Sequence, residues 1–110
     1  SLIHTKLNTL IKANQDKSSW SQIVVADNRN TAEIVNFGNS KTRIEKTTTH
    51  DEWWVIFKGT LDLKIKKDKY CLNLKEKDIV LIESGTPYSV STPTGSEALA
   101  ISVRGPENIT

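Results

Sequence analysis

From Trp20 onward the chain is a succession of short segments rich in Val, Ile, Thr and aromatic residues, each closed by turn chemistry, with no helix-length stretch between them. That pattern predicts strands at 21–26, 31–37, 42–48, 52–58, 60–66, 70–75, 79–83, 88–92 and 97–103. The joints are Asp27 to Asn30, Gly38 to Ser40, Lys67 with Asp68, and Pro93 to Gly95, all built from residues that favour turns. Turn signals recur at roughly the 8 to 12 residue spacing of sandwiches and small barrels. Parallel strands need crossover segments, and none is present, so the expected class is all-β, an antiparallel sandwich or barrel. Ahead of it, Leu2, Ile3, Leu7, Leu10 and Ile11 recur at helical spacing, which predicts a short amphipathic helix over about residues 2–13 whose apolar stripe something must cover.

With 110 residues the chain is read as one domain spanning 1–110, helix followed by barrel over about 20–104, with no room for a second. Fifteen basic against thirteen acidic side chains leave a formal charge of +2, which gives no electrostatic case for nucleic acid or an anionic membrane as partner. A single cysteine, Cys71, cannot form an internal disulfide, and the start of the chain lacks the basic region and apolar run of a secretory signal. A cytoplasmic setting is therefore expected. Met is absent, so Ser1 is read as following a removed initiator or a cleaved tag. No stretch approaches the about 20 apolar residues that cross a bilayer.

Strand parity separates two kinds of segment. Leu61, Leu63 and Ile65 alternate with Asp62, Lys64 and Lys66, so one face of that strand is wet. By contrast, Trp53, Val55 and Phe57 oppose Trp54 and Ile56, and Ile79 to Ile82 does not alternate at all. Such strands are expected to be buried on both faces. The outer face then needs a cover: the N-terminal helix, Trp20, or a second copy of the chain in a homodimer.

Glu52, followed by Trp53 to Lys58 and then Gly59, resembles the end of the first cupin motif, whose Glu and final Gly have this separation. The second cupin motif lays onto Lys77, Glu83, Gly85, Tyr88 and Thr92, with Gly85 its identity match, and the run from Asp78 to Ile82 has the family's texture. The resemblance covers about residues 31–103. It implies a small RmlC-like cupin: a jelly roll, or double-stranded β-helix. In the family, two His and a Glu from the first motif and a His from the second hold a divalent transition metal. Here the His positions fall on Lys46 and Thr48 (or Glu45 and Thr47), and on Tyr88, which leaves Glu52 alone of the set. No standard metal site and no cofactor is expected. The alternative is a divalent transition metal held by an irregular set such as His50, Glu45 and Glu52.

The residues that could bind a ligand are Glu52, Tyr88, Thr48, His50, Trp54 and Lys46. Glu52 is the foremost, a carboxylate in an apolar segment where an unpaired charge is costly; the competing reading puts it on the barrel rim. His50 would share its face, about 6.7 Å along the strand, unless it belongs to the loop before it. Tyr88 could offer a phenol donor into the barrel or simply pack its ring. Lys46 with Thr47, Thr48 and Thr49 could supply donors from the facing strand, although threonine runs also just make good strands. Trp54 could form a wall of the site, with core packing the plainer role for it and for Trp53. Cys71 has no feature that would activate its thiol. His4 is read as a packing or surface residue, and Lys64, Lys66, Lys67 and Lys69 suit a solvated hairpin. Three functions follow: metal-free binding of a small polar molecule, an enzyme with an irregular metal or a Glu52 and Tyr88 acid/base pair, or a dimerisation module with a solid barrel.

Overall fold

The structure is a computed structural model and describes residues 2–38, 44–66, 70–93 and 97–107. Among these residues nine strands follow one helix: α1 (Leu7–Ala13), β1 (Trp20–Ala26), β2 (Thr31–Gly38), β3 (Ile44–Lys46), β4 (Glu52–Gly59), β5 (Leu61–Ile65), β6 (Tyr70–Leu74), β7 (Ile79–Ile82), β8 (Tyr88–Ser91) and β9 (Ala98–Arg104). They form a five-stranded sheet, β1-β2-β9-β4-β7, facing a four-stranded sheet, β3-β8-β5-β6. Every pairing is antiparallel. The expected all-β class and its short N-terminal helix are both present. The expected turns at 39–40, 67–68 and 94–95, the first residues of the strand expected at 42–48, and Lys67 and Lys69 lie outside the described residues.

The core lies between the sheets and follows strand parity. Trp54 and Ile56 of β4 and Ala98 and Ala100 of β9 meet Leu61 and Leu63 of β5, Tyr88 and Val90 of β8, Leu74 and Ile82. On β9 the small residues point inward and Leu99, Ile101 and Val103 take the other face, because Ser102 is paired with Trp54, and Ala100 with Ile56. Small inward side chains leave the width of the barrel to Trp54 and Tyr88.

Two expectations need correction. The helix spans seven residues rather than twelve, and none of them is buried. Lys6 occupies its N-cap without a capping side chain, whereas Asn14 closes the other end by donating Nδ2 to the Leu10 carbonyl at 2.9 Å. Leu2 and Ile3 stand outside it, exposed. The outer face of β4 and β7 is also uncovered in the single chain: Trp53, Phe57, Ile79 and Leu81 keep 50, 47, 64 and 42% of their surface. Trp20 covers nothing there, since it lines a cavity with the inward-facing Phe37 and Trp54.

Two backbone positions take φ in the left-handed region for visible reasons. Gly59 ends β4 with φ +76°, pressed against the Glu97 carbonyl where a β-carbon would sit. Lys77 has φ +74° in the turn before β7, where its N–H donates to the Ile56 carbonyl at 2.9 Å. A non-glycine residue there carries strain of about 1 kcal/mol or more. Among the described residues no helix is long and apolar enough to cross a membrane.

Candidate functional site

Glu52 opens β4 with its Cα beside Arg104 of β9 on one side and Ile82 of β7 on the other. It is 6% exposed, which rejects the rim placement. Burying a carboxylate is tolerable only with donors around it. Two are present, both on Oε1: the Trp54 indole Nε1 at 2.8 Å and the Ser102 hydroxyl at 3.0 Å. Trp54 can reach because residues two apart on a strand share a face, and Ser102 because it pairs with Trp54 in the ladder. Glu52 also lines the main cavity.

Tyr88 comes from the opposite sheet and is 1% exposed. Its hydroxyl is buried without a hydrogen-bond partner. Burial raises the phenol's pKa well above its ordinary value of 10.0, the nearby Glu52 charge adds to the rise, and Arg104 opposes it. Glu52 acts on the phenol through its charge and through a hydrogen-bonding interaction, although the contact lacks the geometry of an ordinary hydrogen bond. The phenol is therefore a held proton, available as a donor.

The loop from Thr47 to Asp51 closes the site and is pinned at several points. The Thr48 hydroxyl accepts the His50 N–H at 3.0 Å, and the Thr48 carbonyl accepts the Gly85 N–H at 2.7 Å. Asp51 accepts from Ser84 N at 2.9 Å through its side chain and from Gly105 N at 3.1 Å through its carbonyl. His50 Nδ1 lies 3.0 Å from the Gly105 carbonyl. A carbonyl can only accept, so Nδ1 carries the hydrogen and a neutral ring presents a lone pair at Nε2.

Together these groups bound a cavity of about 630 Å³, within the usual range of roughly 300 to 1,000 Å³ for ligand sites. Lys46, Thr48, His50, Glu52 and Tyr88 line it. Trp54 does not. It lines a second cavity, of about 320 Å³, and touches the first only through its bond to Glu52. Two residues that sequence reasoning passed over belong here: Ser102, which holds Glu52, and Arg104, which lines the cavity and pairs loosely with Glu33 at 3.7 Å. Their signal was the inward parity of β9, concealed because its outward residues are the more apolar ones.

Neither a family model nor a curated protein matches the sequence. Solved structures do. An RmlC-like cupin with a double-stranded β-helix fold from Methanocaldococcus jannaschii superposes with a TM-score of 0.75 at 14% identity, over 98% of this chain and 92% of that one. A cupin superfamily protein from Desulfitobacterium hafniense gives 0.71 at 11%, over 83% and 80%. The polyketide cyclase RemF from Streptomyces resistomycificus gives 0.73 at 11%, over 83% and 67%. The fold is that of the cupins.

Within a cupin barrel the chemistry of the donors decides whether a metal fits. By the motif resemblance, the positions that carry imidazoles in cupin metal sites fall on Lys46 and Thr48, or on Glu45 and Thr47, and on Tyr88. An ammonium repels a cation, and neutral hydroxyls are weak ligands for one. Among the described residues no three His, Cys, Asp or Glu side chains come together as a metal-binding group. Glu45, the extra carboxylate of the irregular set, is engaged with Lys66 at 2.8 Å. The residues present do not fit the cupin metal. Lys77, which the resemblance lays onto the glycine of the second motif, has a left-handed φ of +74°.

Proposed function

We propose that this cupin-fold protein binds a small polar molecule, carbohydrate-like or an organic acid, in the cavity beside Glu52 and without a metal. The observation that carries this is a pair of polar groups across the barrel. A buried carboxylate whose two donors both fall on Oε1, and a buried phenol without an ordinary hydrogen bond, line the same cavity. A bound hydroxyl would satisfy both, accepting from Tyr88 and donating to Glu52. His50 Nε2 and the Thr48 hydroxyl supply further acceptors and donors on the loop side.

Thermal denaturation against a panel of sugars and organic acids tests this, because a ligand at about 100 times its dissociation constant adds about 2.7 kcal/mol. Glu52→Gln keeps an acceptor for Trp54 and Ser102 but loses the charge. Its ligand response should fall at least tenfold in apparent affinity. An unchanged response would remove Glu52 from the site. Elemental analysis of untagged, chelator-free protein showing near-stoichiometric transition metal would overturn the metal-free reading.

The enzymatic reading is favoured by the same pair, with Glu52 as base and Tyr88 as acid; a polyketide cyclase among the structural neighbours shares the fold. A solid structural barrel is disfavoured by the cavity.

For the outer face we propose a second copy as the cover. Trp53 faces Leu81 and Val103 across the ladder and Val55 faces Ile79 and Ile101, which makes a continuous apolar surface. The same chain carries an unburied amphipathic helix. Trp53→Glu places a charge at the centre of that surface. Light scattering on the eluting peak should show a dimer for the parent and a monomer for the variant; a monomeric parent would sink the assignment.

A further inference from the structure

The second cavity carries the reading of the first one further. It lies between β1 and β2 on one side and β3 on the other, and its wall is aromatic: Trp20, Phe37 and Trp54, with Val35 and Val90. Phe37 and Trp54 have ring centroids 5.6 Å apart, and Trp54 meets Tyr88 edge-on at 5.7 Å. The aromatic side chains thus run without a break from this cavity to the phenol of the polar one.

Lys46 lines both cavities. It pairs directly across from Tyr88 in the β3 and β8 ladder, so it stands on the inward face of the barrel. Among the described residues it has no ion-pair partner, whereas Glu45 beside it is taken by Lys66. An exposed ammonium without an ion pair, at the seam between an aromatic chamber and a hydroxyl-lined one, is complementary to an anion attached to a flat apolar group.

We infer that the ligand is a ring-bearing acid: a planar apolar ring in the chamber of Trp20, Phe37 and Trp54, an acidic group at Lys46, and a polar end reaching Glu52 and Tyr88. This rests on the proposed binding reading and narrows it to a ligand class. A purely polyhydroxylated compound would leave the aromatic chamber to water, and a purely apolar one would leave Lys46 without its anion.

Titration calorimetry with three probes tests it: 3-phenylpropionate, which has ring and acid; 3-phenylpropanol, which has the ring alone; and gluconate, which has acid and hydroxyls but no ring. The ring-bearing acid should bind at least tenfold more tightly than either of the others. Lys46→Gln, a change at an exposed position, should weaken 3-phenylpropionate at least fivefold and leave 3-phenylpropanol unaffected. Ser21→Trp, which crowds the aromatic chamber from an exposed site on β1, should abolish the advantage of the ring while gluconate binds as before. Gluconate binding as tightly as the ring-bearing acid would overturn the inference and leave the polar site standing. Equal affinity for 3-phenylpropanol and 3-phenylpropionate would overturn the part given to Lys46, and with it the inference. Should none of the three bind at millimolar concentration, both readings fall.

Discussion

Gly59→Ala is expected to lower stability by about 3 kcal/mol or more. Two independent causes act in the same direction. The residue sits at φ +76°, which an alanine adopts only under strain, and the new β-carbon would fall on the Glu97 carbonyl oxygen, a backbone atom that cannot swing aside. The neighbouring Ala98 is wholly buried and paired with Gly59, so the shift would spread into β9, and from there to Ser102 and Arg104 at the site. Thermal melting should fall by more than about 10 °C. Gly85→Ala is the useful comparison, since φ there is +81° but open space surrounds the added methyl group. It should lose only the conformational part, about 1 kcal/mol. Equal losses for the two variants would show that the Glu97 contact is unimportant.

Tyr88→Phe should do two opposite things. It deletes a buried hydroxyl that no protein group satisfies, so the ligand-free protein should gain about 1 kcal/mol. It also removes the donor that a bound molecule would use, so the stabilisation by ligand should vanish. Denaturant melts with and without ligand separate the effects. Alkaline titration adds a third reading. Because the folded phenol has its pKa raised above the ordinary 10.0, the unfolded chain ionises first. The folded state therefore keeps the full contribution of Tyr88 below about pH 10 and loses it as the pH rises further. Lysines titrate in the same range, so the slope of Tyr88→Phe is the reference, and it should be the shallower of the two. A variant less stable than its parent at pH 7 would mean that the hydroxyl has a partner after all.

The strands were legible because alternation and turn chemistry are local signals, and from β4 to β9 the expected and observed limits differ by one or two residues at most. The helix was overextended because Leu2 and Ile3 continue its period although nothing caps a helix at that point and no core receives them. Glu52 and Tyr88 could be singled out from motif positions. Arg104 and Ser102 could not, since what places them is the pairing of β9 with β4, fifty residues apart in sequence, and pairing is not written in either strand alone. Trp54 shows the same limit. Parity puts it on the Glu52 face, but which of two cavities its ring borders depends on β1 and β2.

The bond from the Trp54 indole to Glu52, with Tyr88 set edge-on to the ring, also equips the protein with an optical reporter. At 5.7 Å between centroids, light absorbed by the tyrosine passes to the indole, and a carboxylate hydrogen-bonded to that indole modulates its emission. Trp53, half open to water, should emit at longer wavelength than the enclosed Trp54. The blue edge of the fluorescence spectrum should therefore follow occupancy of the barrel without any label.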